Sequence, residues 1–221
     1  MADFLIQKLH PALVLDYRPR IAASGALAFS AQGDWASSCI LHASATAMAL
    51  LGYIADPAGL RWETKGIAAR FWTLAEPLYH TGATLDELVD MLARMNLGLR
   101  TRLIEASHAT VFEFCKRELA GGELVILSYR QRGLPFHHAV LVIGVEGVVR
   151  GRSFTAHALL ILDSAGKPPR LTAYNARLTY DTTKRFASYV TGDSEDRYAV
   201  VLTGAVSIRP AIKRARTGKP P

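Results

Sequence analysis

The chain has 221 residues, half of them hydrophobic, which is enough for one domain with a substantial core and excludes global disorder. Its apolar stretches are too short to span a bilayer, and no secretory signal opens the sequence. Its two cysteines lie far apart and do not form a disulfide framework. We therefore expect a cytoplasmic protein. The formal net charge of +7 lies mostly in residues 209–221, which hold five basic residues and no acidic ones, a pattern more typical of a solvated end than of a nucleic-acid-binding domain.

The chain is expected to form a single domain over residues 1–208, followed by a basic, disordered tail over residues 209–221. Residues 1–30 are interpreted as an N-terminal arm; the short apolar pieces within residues 12–31, which alternate with Pro, Ser and Gly, belong to this arm or form edge strands. Secretion as an effector by a specialised bacterial route would leave no signal in this arm, and it stays open beside the cytoplasmic location.

Four helices are predicted in the first half of the chain. Ala and Met favour the first, apolar residues at helical spacing favour the second, and a capping-box pattern at Thr84 opens the third. A short strand over residues 98–104 precedes the fourth. The predicted helices are Ser38–Leu51, residues 62–80, a segment that begins at Thr84, and Thr110–Leu119.

The second half of the chain changes to apolar runs separated by Gly, Pro and charged residues, which is typical of strands. Helices followed by successive strands predict an α+β fold, in which a helical half packs against an antiparallel β-sheet half. The predicted strands are Leu124–Tyr129, His138–Val145, Ala156–Asp163, Leu171–Leu178 and Tyr198–Val206.

A possible catalytic triad is spread across these elements. Cys39 stands on the first turn of the first predicted helix, where the helix dipole and backbone N–H groups favour the thiolate over the thiol. His138 opens one predicted strand and Asp163 closes the next. A thiolate nucleophile, an imidazole base and a carboxylate that orients the imidazole are the groups that acyl transfer needs.

A helix-borne Cys, a strand-borne His and a strand-end Asp in this order resemble the papain-like cysteine peptidases, closest to the bacteriocin-processing leader-peptidase domain and its bacterial relatives. The resemblance covers roughly residues 30–165 and includes the apolar strand that runs from His138 to Gly144. It implies a papain-like fold, whose helical half carries the Cys and whose sheet half carries the His and Asp. It also implies a glutamine that serves the oxyanion hole, for which Gln32 is the candidate.

The sequence departs from the pattern of that family at two places. Ile40 follows the cysteine where the family usually has Gly, and Gln32 lies one position further ahead of Cys39 than usual. Ser38 or backbone N–H groups are therefore alternative donors to the oxyanion.

Other residues near the triad have alternative interpretations. His137 is the fallback base, and Asn175 is the alternative group for orienting the imidazole. Trp35 is a candidate wall of the substrate cleft, although a packing anchor for its loop is an equal alternative. His42, three residues after Cys39, could bind zinc with Cys39 and the histidine pair, but no second ligand cluster accompanies them, so we expect no metal.

These observations predict a cysteine peptidase or isopeptidase that acts on a peptide or protein substrate and needs no cofactor. Transglutaminases and other acyltransferases share the acyl-thioester intermediate, so transfer to another acceptor is one alternative. A catalytically silent papain-like module that binds or regulates another protein is a second alternative. A protein that binds nucleic acid weakly through its basic tail is a third.

Overall fold

A computed structural model describes residues 3–33, 37–192 and 197–210 of the chain. Antiparallel strands dominate these residues, and four short α-helices lie among them. The strands are β1 (Phe4–Leu9), β2 (Leu13–Val14), β3 (Arg20–Ile21), β4 (Leu99–Glu105), β5 (Leu124–Gln131), β6 (His137–Arg150), β7 (Ser153–Leu162), β8 (Ala176–Thr179), β9 (Ala187–Thr191) and β10 (Arg197–Pro210). The helices are α1 (Cys39–Leu50), α2 (Gly66–Ala75), α3 (Leu85–Arg94) and α4 (His108–Ala120), with 3₁₀ turns at Leu60–Trp62 and Glu76–Leu78.

Six strands close into a ring in the order β6, β5, β10, β9, β8 and β7, with β7 returning to β6. The length of β6 makes the closure possible, because β7 pairs along one edge while β5 and β1 share the other edge. The long β10 is shared in the same way, with β5 on one edge and β9 and β4 on the other. Each of these two strands therefore belongs both to the ring and to an outer extension of the sheet.

Successive residues of β5 and β6 face two different apolar cores, as the alternation of side chains along a strand requires. Val140 and Val142 belong to the core that all six ring strands and α4 share. Leu141 and Ile143 belong to a second core, which α1, α2 and α3 cover. The helix that begins with Cys39 therefore lies on the outer face of the ring, against β6.

Helix α1 is buried on almost every side, since ten of its 12 residues are buried. An apolar helix without a polar face is typical of a core helix. Its small Ala and Ser residues allow close approach to β6, and Cys39 lies at the N-terminal end of this contact.

The predicted fold, a papain-like α+β arrangement with a helical half packed on an antiparallel half, is wrong. The described chain is mostly a closed six-stranded antiparallel sheet, and its four α-helices are short. Strands β1 and β9 had no counterpart in the prediction, and β6 extends well past Val145. The helix predicted over residues 62–80 is only α2 flanked by 3₁₀ turns, because Gly66 at its start has φ +75° and Pro77 interrupts its end.

The apolar strand expected to end at Gly144 continues to Arg150. Gly144 pairs with Leu9 of β1, and a Cβ atom at this position would overlap the carbonyl oxygen of Lys8. Glycine is therefore needed here because β1 approaches closely, not because the strand stops.

Several local predictions are confirmed. The helices α1, α3 and α4 and the strand β4 lie within a few residues of their predicted positions. Thr84 forms the predicted capping box, in which its hydroxyl accepts from the Glu87 N–H at 3.2 Å and the Glu87 carboxylate accepts from the Thr84 N–H at 2.8 Å.

The predicted tail begins inside a strand, because Arg209 and Pro210 are the last residues of β10 and pair with β4. Residues 211–221 of that tail lie outside the described residues. Within the described residues, no helix has the length and apolar character needed to cross a membrane.

Candidate active site

Cys39 is the first residue of α1, and its sulfur lies against the opening of β6. The backbone N–H of Ala139 donates a hydrogen bond to Cys39 Sγ over 3.4 Å. Ser38 caps the helix without a side-chain hydrogen bond, and its carbonyl oxygen accepts from the N–H groups of Leu41 and His42. The thiol therefore sits on a helix N-terminus and is also held by a neighbouring strand.

His138 and Asp163 meet at the same end of the ring. The pairing of Leu141 with Leu162 brings the start of β6 beside the residues that follow β7. His138 Nε2 and Asp163 Oδ1 are 2.7 Å apart, and the Cys39 sulfur, which accepts from the next N–H along β6, is close enough to His138 for each to shift the pKa of the other. Because Nε2 is occupied by the carboxylate, Nδ1 is the nitrogen available to the sulfur. The structure thus brings the three sequence-predicted catalytic residues together.

The Asp163 side chain is only 5% exposed, and three residues besides His138 form hydrogen bonds with Asp163. Tyr189 donates from its hydroxyl to Asp163 Oδ2 at 2.5 Å, and the Ala165 N–H donates to Oδ1 at 3.0 Å. The amide of Asn175 accepts from the Asp163 N–H and donates to the Asp163 carbonyl oxygen, both at 2.7 Å. Asn175 therefore fixes the backbone of the acid rather than the imidazole, for which it was the alternative partner.

The electrostatics of the site favour a thiolate. Burial by itself would raise the pKa of Cys39, but the hydrogen bond and charge of His138 and the N–H groups of Ala139 and Ile40 together bring the pKa below its ordinary value. The anion is thus favoured at Cys39 before any substrate is bound.

His138 and Asp163 are shifted in the complementary directions. Burial opposes a charged imidazole, but the hydrogen bonds to Asp163 and Cys39 and their charges raise the pKa of His138 to about 10. Burial also opposes the carboxylate, yet the contacts with His138, Tyr189 and the Ala165 N–H lower the pKa of Asp163. The three shifts together favour a thiolate, an imidazolium and a carboxylate over their neutral forms.

The ring of Tyr129 completes the wall behind the imidazole. It lies 5.5 Å from the His138 ring and 4.8 Å from the Tyr189 ring, centroid to centroid. A small opening of about 320 Å³ beside His138 and Asp163 is bordered by Leu134 and Phe136, and Phe136 is 74% exposed. Exposed apolar side chains beside the triad are suited to contact a substrate chain.

Gln32, the candidate for the oxyanion hole, lies beside the residue that follows Asp163. Its backbone N–H donates to the Ser164 carbonyl oxygen at 2.8 Å, and its Oε1 accepts from the Ser164 hydroxyl at 3.5 Å. The structure thus brings Gln32 close to the triad, while its role at an oxyanion stays a prediction. Trp35, the other predicted substrate contact, lies outside the described residues.

The remaining candidates lie apart from this arrangement. His137 points to a different partner, with Nδ1 3.3 Å from the Thr203 hydroxyl. His42 Nδ1 is 2.7 Å from the Ser30 hydroxyl. Among the described residues, no group of three or more His, Cys, Asp or Glu side chains could hold a metal ion. Cys115 is fully buried in the core of the ring, and burial raises the pKa of its thiol.

Tyr189 and Tyr129 are the residues near the triad that sequence reasoning missed. Tyr189 lies on β9, whose five residues are too few for a clear alternating pattern. Tyr129 was assigned to a strand but without a role. Tyr129 lies opposite His138 in the β5–β6 pair, whereas Tyr189 reaches Asp163 from β9 through the interior of the ring.

No protein-family model matches this chain, and no curated protein was found to be similar to it.

Proposed function

We propose that the chain is a cysteine peptidase or isopeptidase that hydrolyses a peptide bond through Cys39, His138 and Asp163. The observation that carries this proposal is the continuous contact from the Cys39 sulfur through the His138 ring to the Asp163 carboxylate, with the pKa of the thiol lowered. The order of the three residues in the chain resembles the papain-like cysteine peptidases and the bacteriocin leader-peptidase group, and we include membership of that family in the proposal.

The chemistry follows from the protonation states of the pair. The Cys39 thiolate attacks the carbonyl carbon and forms a tetrahedral intermediate with a negatively charged oxygen. His138 then gives its Nδ1 proton to the leaving nitrogen, the C–N bond breaks, and an acyl-thioester remains on Cys39. Water attacks the thioester with His138 as the base, the C–S bond breaks, and a carboxylic acid leaves. Asp163 stays ionised throughout and keeps the imidazole oriented.

The oxyanion would form at the N-terminus of α1. The first N–H groups of a helix have no intrahelical acceptor, so the Cys39 N–H is suited to bind it. Gln32 is the second candidate donor, because its backbone N–H is bound to the residue that follows Asp163 and keeps it near the triad. Loss of one such donor typically lowers turnover by about a hundredfold or more.

Two other functions fit the same arrangement. In transglutaminases and other acyltransferases the acyl group is transferred to an amine or a thiol. This needs only that the acceptor, rather than water, attacks the acyl-thioester on Cys39. A catalytically silent binding module is favoured by Ile40, which stands directly after Cys39 where the related peptidases usually have Gly. The reactivity of the thiol separates this silent module from the enzymes.

The test compares the two cysteines by iodoacetamide alkylation at neutral pH, with mass spectrometry of the labelled peptides. We expect Cys39 of the folded protein to react at least tenfold faster than Cys115 of the unfolded chain. Turnover of a mixed peptide library should vanish in Cys39→Ala and persist in the matched control Cys115→Ala. A Cys39 that reacts no faster than an ordinary thiol, or a Cys39→Ala variant that still cleaves, would contradict the proposal.

A further inference from the structure

A second cavity, of about 720 Å³, opens on the helical side of the molecule, one turn of α1 beyond Cys39. This volume lies in the range of roughly 300–1,000 Å³ that is typical of ligand pockets. Its walls are largely aromatic, with Phe71 and Trp72 from α2, Tyr79 after the following turn, and Trp62 at the rim. Trp62 is 73% exposed, although a large apolar ring in water is unfavourable. The guanidinium of Arg61 covers one face of the Trp62 ring, 4.3 Å from its centre, whereas Trp72 and Tyr79 remain partly exposed and give the cavity an accessible aromatic surface.

His42 borders this cavity, with its ring packed edge-on against Tyr79. Its Nδ1 contacts the Ser30 hydroxyl, whereas its Nε2 is buried and has no hydrogen-bond partner within the described residues. Burial lowers the pKa of His42 to about 4, so the ring is neutral at physiological pH. A buried polar atom without a partner costs free energy, and an occupant with a hydroxyl or amide group would remove that cost.

The cavity borders the N-terminal half of α1, close in the chain to the candidate active site. His42 follows Cys39 by three residues, which is about 4.5 Å of helix rise. Ser30, the partner of His42, is two residues from Gln32, whose N–H is bound to the residue after Asp163. An extended peptide advances about 3.3 Å per residue, so a side chain in the cavity would belong to a residue within about three positions of the carbonyl that Cys39 attacks.

The charges at the cavity favour a neutral occupant. Arg61 and Glu76 both border it and carry opposite charges, and the neutral His42 adds none. Neither a strongly acidic nor a strongly basic side chain would gain from this balance. An aromatic side chain that carries a hydroxyl, such as that of tyrosine, matches both the aromatic walls and the unpaired nitrogen.

We infer that this cavity is a specificity pocket for a bulky aromatic side chain of the substrate, preferably tyrosine, within three residues of the scissile bond. The inference rests on the proposed function for its biological meaning, but binding at the cavity can be measured without turnover. The pocket would restrict cleavage to polypeptides that present such a residue in an extended segment.

The experiment measures how peptides protect Cys39 from iodoacetamide. One probe is an acetylated and amidated heptapeptide with tyrosine at its centre and glycine elsewhere, and the matched control peptide is heptaglycine with the same ends. The blocking variant is Ala58→Trp, because Ala58 is exposed and borders the cavity. Its matched control is Ala55→Trp, which places the same side chain on the same loop at an exposed position that does not border the cavity.

We expect the tyrosine peptide at millimolar concentration to slow Cys39 alkylation at least threefold, and heptaglycine to have no effect. Ala58→Trp should lose this protection, and Ala55→Trp should keep it. Equal effects of the two peptides on the wild-type chain, or full protection in Ala58→Trp, would overturn the inference. An ordinary alkylation rate of Cys39 without peptide would instead count against the proposed function, and the comparison of peptides would still decide the pocket.

Discussion

Replacing Asp163 by Asn is the sharpest perturbation of the candidate site. The substitution keeps the shape of the side chain and the two backbone hydrogen bonds to Asn175, which involve only the main chain of residue 163. It removes the negative charge that His138 Nε2 contacts at 2.7 Å. The imidazolium then loses its charged partner, and the thiolate loses part of its stabilisation through His138.

The magnitude follows from the kind of contact that is lost. A hydrogen bond to a charged group contributes about 1.5–3 kcal/mol, which corresponds to about one to two pKa units. The pKa of His138 should therefore fall from about 10 by that amount, and the pKa of Cys39 should rise towards its ordinary value. The alkylation profile of Cys39 should therefore move to higher pH, and alkylation at neutral pH should slow.

The assay is the pH dependence of Cys39 alkylation, measured with thermal unfolding to confirm that the variant is folded. Glu146→Gln is the matched control, since Glu146 is another buried carboxylate of the ring and pairs with Arg177. That control should lose stability without moving the alkylation profile of Cys39. An unchanged profile in Asp163→Asn, or an equal shift in Glu146→Gln, would refute the assignment of Asp163 to the thiolate pair.

Three further outcomes are expected. Turnover should be highest between the pKa of Cys39, which lies below 9.0, and the pKa of His138, which is about 10. Below the first pKa the sulfur is protonated, and above the second the leaving nitrogen has no proton donor. A pH–rate profile measures this, and a rate that keeps rising above pH 11 would contradict it. Tyr189→Phe should lower the free energy of unfolding by about 1.5–3 kcal/mol in denaturant titrations at pH 7, because Asp163 Oδ2 loses a buried hydrogen-bond donor. A loss of stability smaller than half of this range would show that the hydroxyl is not needed. Thr84→Ala should lower the stability by about 1 kcal/mol, because it removes the N-terminal cap of α3. The alkylation rate of Cys39 should stay the same, and a changed rate would reveal a link between this cap and the site.

The sequence was sufficient to select Cys39, His138 and Asp163, because each stands where an apolar run meets a polar loop. Such boundaries can be recognised from a few neighbouring residues of the sequence, and they place side chains at the ends of buried helices and strands. The same local reasoning identified α1 and the cap at Thr84. The preference for His138 over His137 came instead from the spacing to Gly144 in the family resemblance, and the structure gives these two histidines different partners.

The closure of the sheet was beyond that reasoning. It depends on the pairing of β10 with β5, which are far apart in the chain, and on β6 pairing with both β5 and β7. Short strands such as β9 carry too few residues for a clear pattern, so Tyr189 could not be linked to Asp163. The free space next to His42 was equally hidden, because it arises from the way α2 and the following turn pack beside α1.

The helix that begins with Cys39 contains no Asp, Glu, Lys or Arg, so apart from the hydrogen bond between the Ala139 N–H and the Cys39 sulfur its contact with the sheet is mainly apolar. Dissolved salt screens charges but leaves such contacts intact, whereas cooling weakens them. The distance between sulfur and imidazole is consequently governed by temperature more than by ionic strength. A chilled sample could lose nucleophilicity while its strands remain fully paired.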